Sequence, residues 1–150
     1  MRFLKRAVTA LPLMVAGGTL LAPGLPHAQT GSPAAGSPVA GAWSGEVQIA
    51  NRPVGLTIVF QTTQGRLTGV ARLAAPMNCR MTQDYAGNRK VDGKPIMVFE
   101  IVQTDGGFCD RLGRGTLEVT LADDTQLNAT FKDVRGQSPI QARMTRDAAR

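Results

Sequence analysis

Residues 43–73 read WSGEVQIANRPVGLTIVFQTTQGRLTGVARL, and their spacing decides the fold class. Trp43, Gly45, Val47 and Ile49 alternate with Ser44, Glu46 and Gln48, the period of two that sends successive side chains to opposite faces of a strand. Asn51, Arg52 and Pro53 supply a turn, Val54 to Gln61 is almost wholly apolar or β-branched, and Thr62 to Gly65 turns again. Arg66 to Leu73 alternates once more, with Leu67, Gly69, Ala71 and Leu73 on one face. Three strands joined by short turns predict an antiparallel meander.

The pattern continues toward the C-terminus. Pro76 stops the third strand, Cys79 to Tyr85 forms a fourth, and Ala86 to Gly93 holds two turn signals, Gly-Asn and Asp-Gly. Lys94 to Thr104 is the longest apolar strand; Asp105, Gly106 and Gly107 end it, and Phe108 to Gly115 reads as a loop. Gly115 to Leu121, Gln126 to Asp133 and Pro139 to Arg146 complete the set, the last with Ile140, Ala142 and Met144 inward. Eight short strands without a helical segment predict an all-β domain, either a small up-and-down barrel or a β-sandwich. The barrel is favoured, because short sequential turns let each strand pair with its neighbour and closure removes exposed edges. A sandwich would need a longer crossing, for which Phe108 to Gly115 is the one candidate.

Upstream of Ala42 the composition changes. Arg2, Lys5 and Arg6 precede an uncharged apolar run, Ala7 to Leu21, and Pro23, Gly24 and Pro26 then break any helix before Ala28. That order predicts a signal peptide over 1–28, too short and too Gly-rich in its apolar core for a stable membrane span. Residues 29–41, with two Gly-Ser-Pro repeats, read as a flexible linker, 42–146 as the folded domain and 147–150 as a frayed tail. Loss of 1–28 leaves 14 Lys and Arg against 11 Asp and Glu, a net charge of +3 in place of +6. The expected location is periplasmic or secreted, with no membrane span after processing.

The only histidine, His27, falls in the discarded segment. Its removal excludes a histidine general base, the Ser-His-Asp and Cys-His nucleophile systems, and the usual His-containing zinc and copper sites. Neither a cofactor nor a metal is expected. Cys79 and Cys109 make an even pair in a chain bound for an oxidising compartment, and predict a disulfide. Asp84, Asp92, Asp105 and Asp110 could in principle pair for glycoside hydrolysis, but all lie beside turn signals, where Asp serves the backbone. Asp123 and Asp124 lack the spaced ligands of a calcium loop. Nucleic-acid binding is disfavoured, since basic residues are scattered and aromatics make up 5% of the chain.

Gly41-Ala42-Trp43 at the start of the first strand resembles the Gly-x-Trp opening of calycin barrels, the lipocalin and avidin-like families. The resemblance implies a Trp that plugs the barrel base beneath an Arg from a late strand, a role open to Arg143 or Arg146. With one Trp and one Tyr the chain lacks the aromatic lining of an avidin biotin pocket. In size, export and single disulfide it is also similar to small periplasmic barrels that inhibit hydrolases.

The first candidate binding segment is Asp105 to Gly115. Its glycines permit unusual backbone angles, the predicted disulfide pins it at Cys109, and Phe108, Asp110, Arg111 and Arg114 would form a preorganised basic prong suited to an acidic cleft. Glu100 is the second. If Met97, Phe99 and Ile101 face inward, Glu100 lies outside beside Ile96, Val98 and Val102, an apolar stripe that would mark a partner surface. If that face points inward instead, Glu100 needs a buried cation such as Arg143. The favoured expectation is an exported, non-enzymatic binding module acting on a protein or polymer partner in the envelope or outside the cell, in the manner of a hydrolase inhibitor. Two alternatives stand: a calycin-type carrier of a small apolar ligand, seated beside the small residues Gly69, Ala71, Ala129 and Ala142, and a structural envelope domain.

Overall fold

A computed structural model describes residues 36–137 and 139–148. Residues 1–28, expected to be a signal peptide, residues 29–35 of the expected linker and residues 149–150 of the expected tail lie outside the described residues. Eight antiparallel strands close into a barrel in sequence order: β1 (Gly41–Ile49), β2 (Arg52–Thr63), β3 (Arg66–Leu73), β4 (Cys79–Val91), β5 (Lys94–Thr104), β6 (Thr116–Leu121), β7 (Gln126–Lys132) and β8 (Ile140–Arg146). Closure is made by β1 against β8, with Trp43 opposite Arg146 and Val47 opposite Ala142. The barrel is thus the architecture, not the sandwich. Among the described residues the one helical element is a short 3-10 segment, Gly107–Leu112, between β5 and β6.

The alternation seen in the sequence is what fills the interior. Trp43 and Val47, Leu56, Ile58 and Phe60, Leu67 and Ala71, Phe99 and Ile101, Leu117 and Val119, and Leu127, Ala129 and Phe131 are all buried. The rings of Phe60 and Phe99 meet with centroids 4.9 Å apart. Gly69, one of the small residues that would leave room for an internal ligand, is covered: a Cβ there would lie 2.8 Å from Gln83 Oε1 and 3.1 Å from the Phe60 ring. Ala71 stands between Ile58 and Met81, and Ala129 between Val119 and Ala142.

β4 departs from its expected form. It runs on to Val91: the Gly-Asn pair read as a turn stays in the ladder, Gly87 opposite Val98 and Asn88 opposite Met97, and a β-bulge between Tyr85 and Gly87 leaves Ala86 unpaired. A bulge adds one residue to a strand and reverses the in-out alternation beyond it. Tyr85, before the bulge, keeps the inward parity of Met81 and Gln83 and faces Phe99 in an edge contact of 5.6 Å, whereas Asn88, beyond it, is switched to pair with the inward-side Met97. Only Asp92 and Gly93, both at positive φ, remain as the turn.

The lead into β1 also packs. Val39 is fully buried, and the Trp43 indole N–H donates to its carbonyl at 2.8 Å. Arg146 lies over the Trp43 ring, 4.1 Å from the centroid, while Nη1 donates to Ala40 O and Nη2 to Pro38 O at 2.6 Å each and Nε to Asp124 O at 2.7 Å. Gly41 is required by this closure: φ is +123°, and a Cβ would stand 3.0 Å from Arg146 Nη1. Arg143 faces outward, opposite Glu46 and Asn128, so Arg146 and not Arg143 is the cation over Trp43. The packed unit accordingly includes residues 37–40, which composition alone assigns to a tether. At the other terminus Asp147 is tied to β1, its N–H to Ala42 O at 2.9 Å and its carboxylate to the Ser44 hydroxyl at 3.0 Å.

One core residue breaks the hydrophobic rule. Gln83 is fully buried, and neither its amide nitrogen nor its oxygen has a partner among the described residues. A buried amide without hydrogen bonds carries an uncompensated desolvation cost. Gln83→Met, which keeps the chain length and removes the amide, should raise the unfolding free energy by about 1 to 2 kcal/mol. Urea denaturation reads this as a higher midpoint at unchanged slope; a lower midpoint would mean that the amide is satisfied in solution.

Candidate functional site

The end of the barrel opposite Trp43 gathers the β1–β2 turn, the β3–β4 connection, the Asp105 to Gly115 loop and the β7–β8 turn. The loop is held from several sides. Cys109 is bonded to Cys79 at the start of β4, a link spanning 30 residues. The Arg80 N–H donates to Asp105 Oδ1 at 2.6 Å, and the Asp105 N–H returns a bond to Arg80 O at 3.1 Å. The Thr104 hydroxyl donates to Asp110 Oδ1 at 2.5 Å, Arg114 N–H to Ile101 O at 3.2 Å, and Ile101 N–H to Gly115 O at 3.0 Å. Cys109 and Leu112 are buried beneath it.

On this frame Phe108 is half-buried and Arg111 exposed, with the guanidinium 5.5 Å from the ring centroid. Both line a cleft of about 260 Å³ whose floor is Ile49, Leu112 and Ile140 and whose rim includes Gln48, Asp133 and Gln137. Asp110 turns back to Thr104, and Arg114, at φ +61°, is exposed where the loop leaves toward β6. Glu100 does not join them. It is exposed on the outer wall of β5, between Asp84 and Thr116 in register, while Phe99 and Ile101 point inward. Of its outward apolar neighbours Val102 is exposed, whereas Ile96 and Val98 are half-buried.

The carboxylates at this end serve the scaffold. Asp105 also pairs with the Arg80 guanidinium at 3.9 Å, and Asp133 Oδ1 accepts from the N–H groups of Arg135 and Gln137 at 2.9 and 2.8 Å. Arg52, Arg111, Arg114 and Arg135 stand at the same end, none within ion-pairing distance of a carboxylate among the described residues. The rim therefore offers unpaired guanidinium groups above a small apolar floor. Elsewhere, Asp84 pairs with Arg66 at 3.4 Å. Asp123 accepts from the Thr125 hydroxyl and N–H at 2.7 Å and the Gln126 N–H at 2.8 Å. Those donors, the Thr125 hydroxyl foremost, hold its carboxyl below the usual aspartate range.

A second, larger cavity, about 740 Å³, lies at the Trp43 end between the lead segment, the β4–β5 hairpin and the end of β6. Met97, Val119, Leu121 and Tyr85 give it apolar surface; Asn88, Asn128, Thr120, Ser37 and Lys94 give it polar groups. Sequence reading missed it for two reasons. Ser37 and Pro38 sit in a stretch that composition assigns to a tether, and Asn88 reaches the inner side only through the bulge.

Comparison with protein-family models, with curated proteins and with solved structures finds no match for this chain. The class is set by the fold itself: a closed eight-stranded up-and-down β-barrel with one disulfide. Among the described residues no helix is long and apolar enough to cross a membrane.

Proposed function

We propose that the protein is an exported, non-enzymatic binding module that engages an acidic partner through the disulfide-held rim around Arg111. The observation that carries the reading is the charge arrangement: Asp105, Asp110 and Asp133 are engaged in loop hydrogen bonds, while Arg52, Arg111, Arg114 and Arg135 are left without carboxylates among the described residues. A guanidinium matches a carboxylate bidentately, and a loop already fixed by a disulfide and backbone bonds loses little entropy on docking. An acidic protein surface, such as the cleft of a hydrolase that works with carboxylates, has the complementary charge. The signal-like N-terminus and the disulfide both suit a periplasmic or secreted setting.

Poly-L-glutamate is the first probe. Calorimetric titration should show binding that weakens as salt rises. The double change Arg111→Ala and Arg114→Ala should weaken it by about tenfold, with the circular dichroism spectrum unchanged. Affinity indifferent to that change would remove the rim from the account.

A further inference from the structure

The cavity beside Trp43 has a different chemistry from the Arg111 rim. Its volume, about 740 Å³, falls in the range typical of small-molecule sites, which are mostly apolar with a few placed polar groups. Met97, Val119 and Leu121 come from the barrel's inner side, and the Tyr85 ring, set edge-on to Phe99, stands with them. One charged side chain lines the space: Lys94, whose ammonium has no carboxylate within ion-pairing distance among the described residues.

Ser37 belongs to the cavity wall but is only 6% exposed; its hydroxyl oxygen is enclosed, without a hydrogen-bond partner among the described residues, and does not open into the cavity. The wall itself is fixed, because Arg146 holds the carbonyls of Pro38 and Ala40 and Trp43 holds that of Val39. A site whose wall is already ordered binds at lower entropic cost.

We propose that this cavity binds a small amphipathic anion, its apolar body against Tyr85, Met97 and Leu121 and its single acidic group at Lys94. The amides of Asn88 and Asn128 and the hydroxyl of Thr120 supply further donors for that group. The placement is lateral and at the Trp43 end, outside the packed centre where Phe60 and Gln83 cover Gly69.

Two fluorescent dyes of nearly the same shape test it: anilinonaphthalene sulfonate, an anion, and the neutral N-phenylnaphthylamine. Both should bind saturably with one equivalent. Lys94→Met, which keeps the apolar stem, should weaken the sulfonate about tenfold and leave the neutral dye unchanged. Ala122 is exposed on the cavity lip, where its backbone N–H bonds to Gln126 O at 2.9 Å. Ala122→Phe should therefore weaken both dyes without disturbing the core, whereas Arg111→Ala should affect neither. Absence of saturable binding, indifference to Ala122→Phe, or a Lys94→Met effect that is absent or equal for the two dyes would overturn the assignment.

Discussion

Trp43→Ala should lower the unfolding free energy by about 3 to 5 kcal/mol, the usual cost of truncating a large buried aromatic. The side chain is fully buried at one end of the barrel, so its removal opens a cavity that flanking strands cannot close without breaking the β1 pairings to β2 and β8. The loss also unseats Arg146, whose guanidinium rests on the ring while its nitrogens hold Pro38 O, Ala40 O and Asp124 O. Trp43→Phe separates the two contributions. It keeps most of the packing and loses the indole N–H bond to Val39, and should cost about 1 to 2 kcal/mol. Arg143→Ala, on the outer face, should leave the denaturation midpoint in place. A Trp43→Ala midpoint equal to that of Arg143→Ala would mean that the barrel end is not closed by this residue. Because Pro38 is both a partner of Arg146 and part of the large cavity, Trp43→Ala should also weaken dye binding there.

The fold was largely legible because strand alternation is a local property. Leu67, Gly69, Ala71 and Leu73 declare their face without reference to anything distant, and so do Leu127, Ala129 and Phe131. The resemblance leaves the partner of Trp43 open between Arg143 and Arg146, although the same rule distinguishes them. With Ile140, Ala142 and Met144 inward, the next inward position on β8 is Arg146, and strand parity alone separates it from Arg143. β4 was harder, since Gly87-Asn88 has the composition of a turn and only pairing with β5 shows that the strand runs through it, with a bulge at Ala86. Val39 was hidden for another reason. Its neighbours are small and polar, and although the hydrogen bond from Trp43 is local, the clamp of Arg146 that holds the segment down exists only after β8 returns to β1. Of the rim, Phe108 and Arg111 could be picked out through the glycines and the predicted disulfide. Ile49, Gln137 and Ile140 could not, because they converge only when the barrel closes. The cavity at Lys94 needed both the bulge and the packed lead, so nothing local announced it.

Removal of the disulfide, by Cys79→Ala with Cys109→Ala, should cost about 3 to 4 kcal/mol through the loop-closure entropy restored to the unfolded chain. The loop it closes spans 30 residues and contains the whole of β5 and the β4–β5 hairpin. For a domain of about this size, with a net stability of roughly 5 to 15 kcal/mol, that loss is a large share of the total. The native loop has other ties: the reciprocal Arg80–Asp105 bonds, Thr104 on Asp110, and Ile101 with Arg114 and Gly115 all survive the change. The barrel should therefore still fold, with a lower denaturation midpoint, and native-state hydrogen exchange should quicken most across Gly107–Leu112. Two consequences separate a staple of the unfolded chain from a staple of the rim. Lost closure entropy lowers global stability and leaves poly-L-glutamate affinity as it was. A rim held in shape by Cys109 also loses affinity, because Arg111 and Phe108 must then be ordered at each encounter. The second pattern is the expected one, since Cys109 lies directly between Phe108 and Arg111 in the short helical segment that carries both. A double variant as stable as the native protein would show that the link adds nothing beyond the hydrogen bonds already around it.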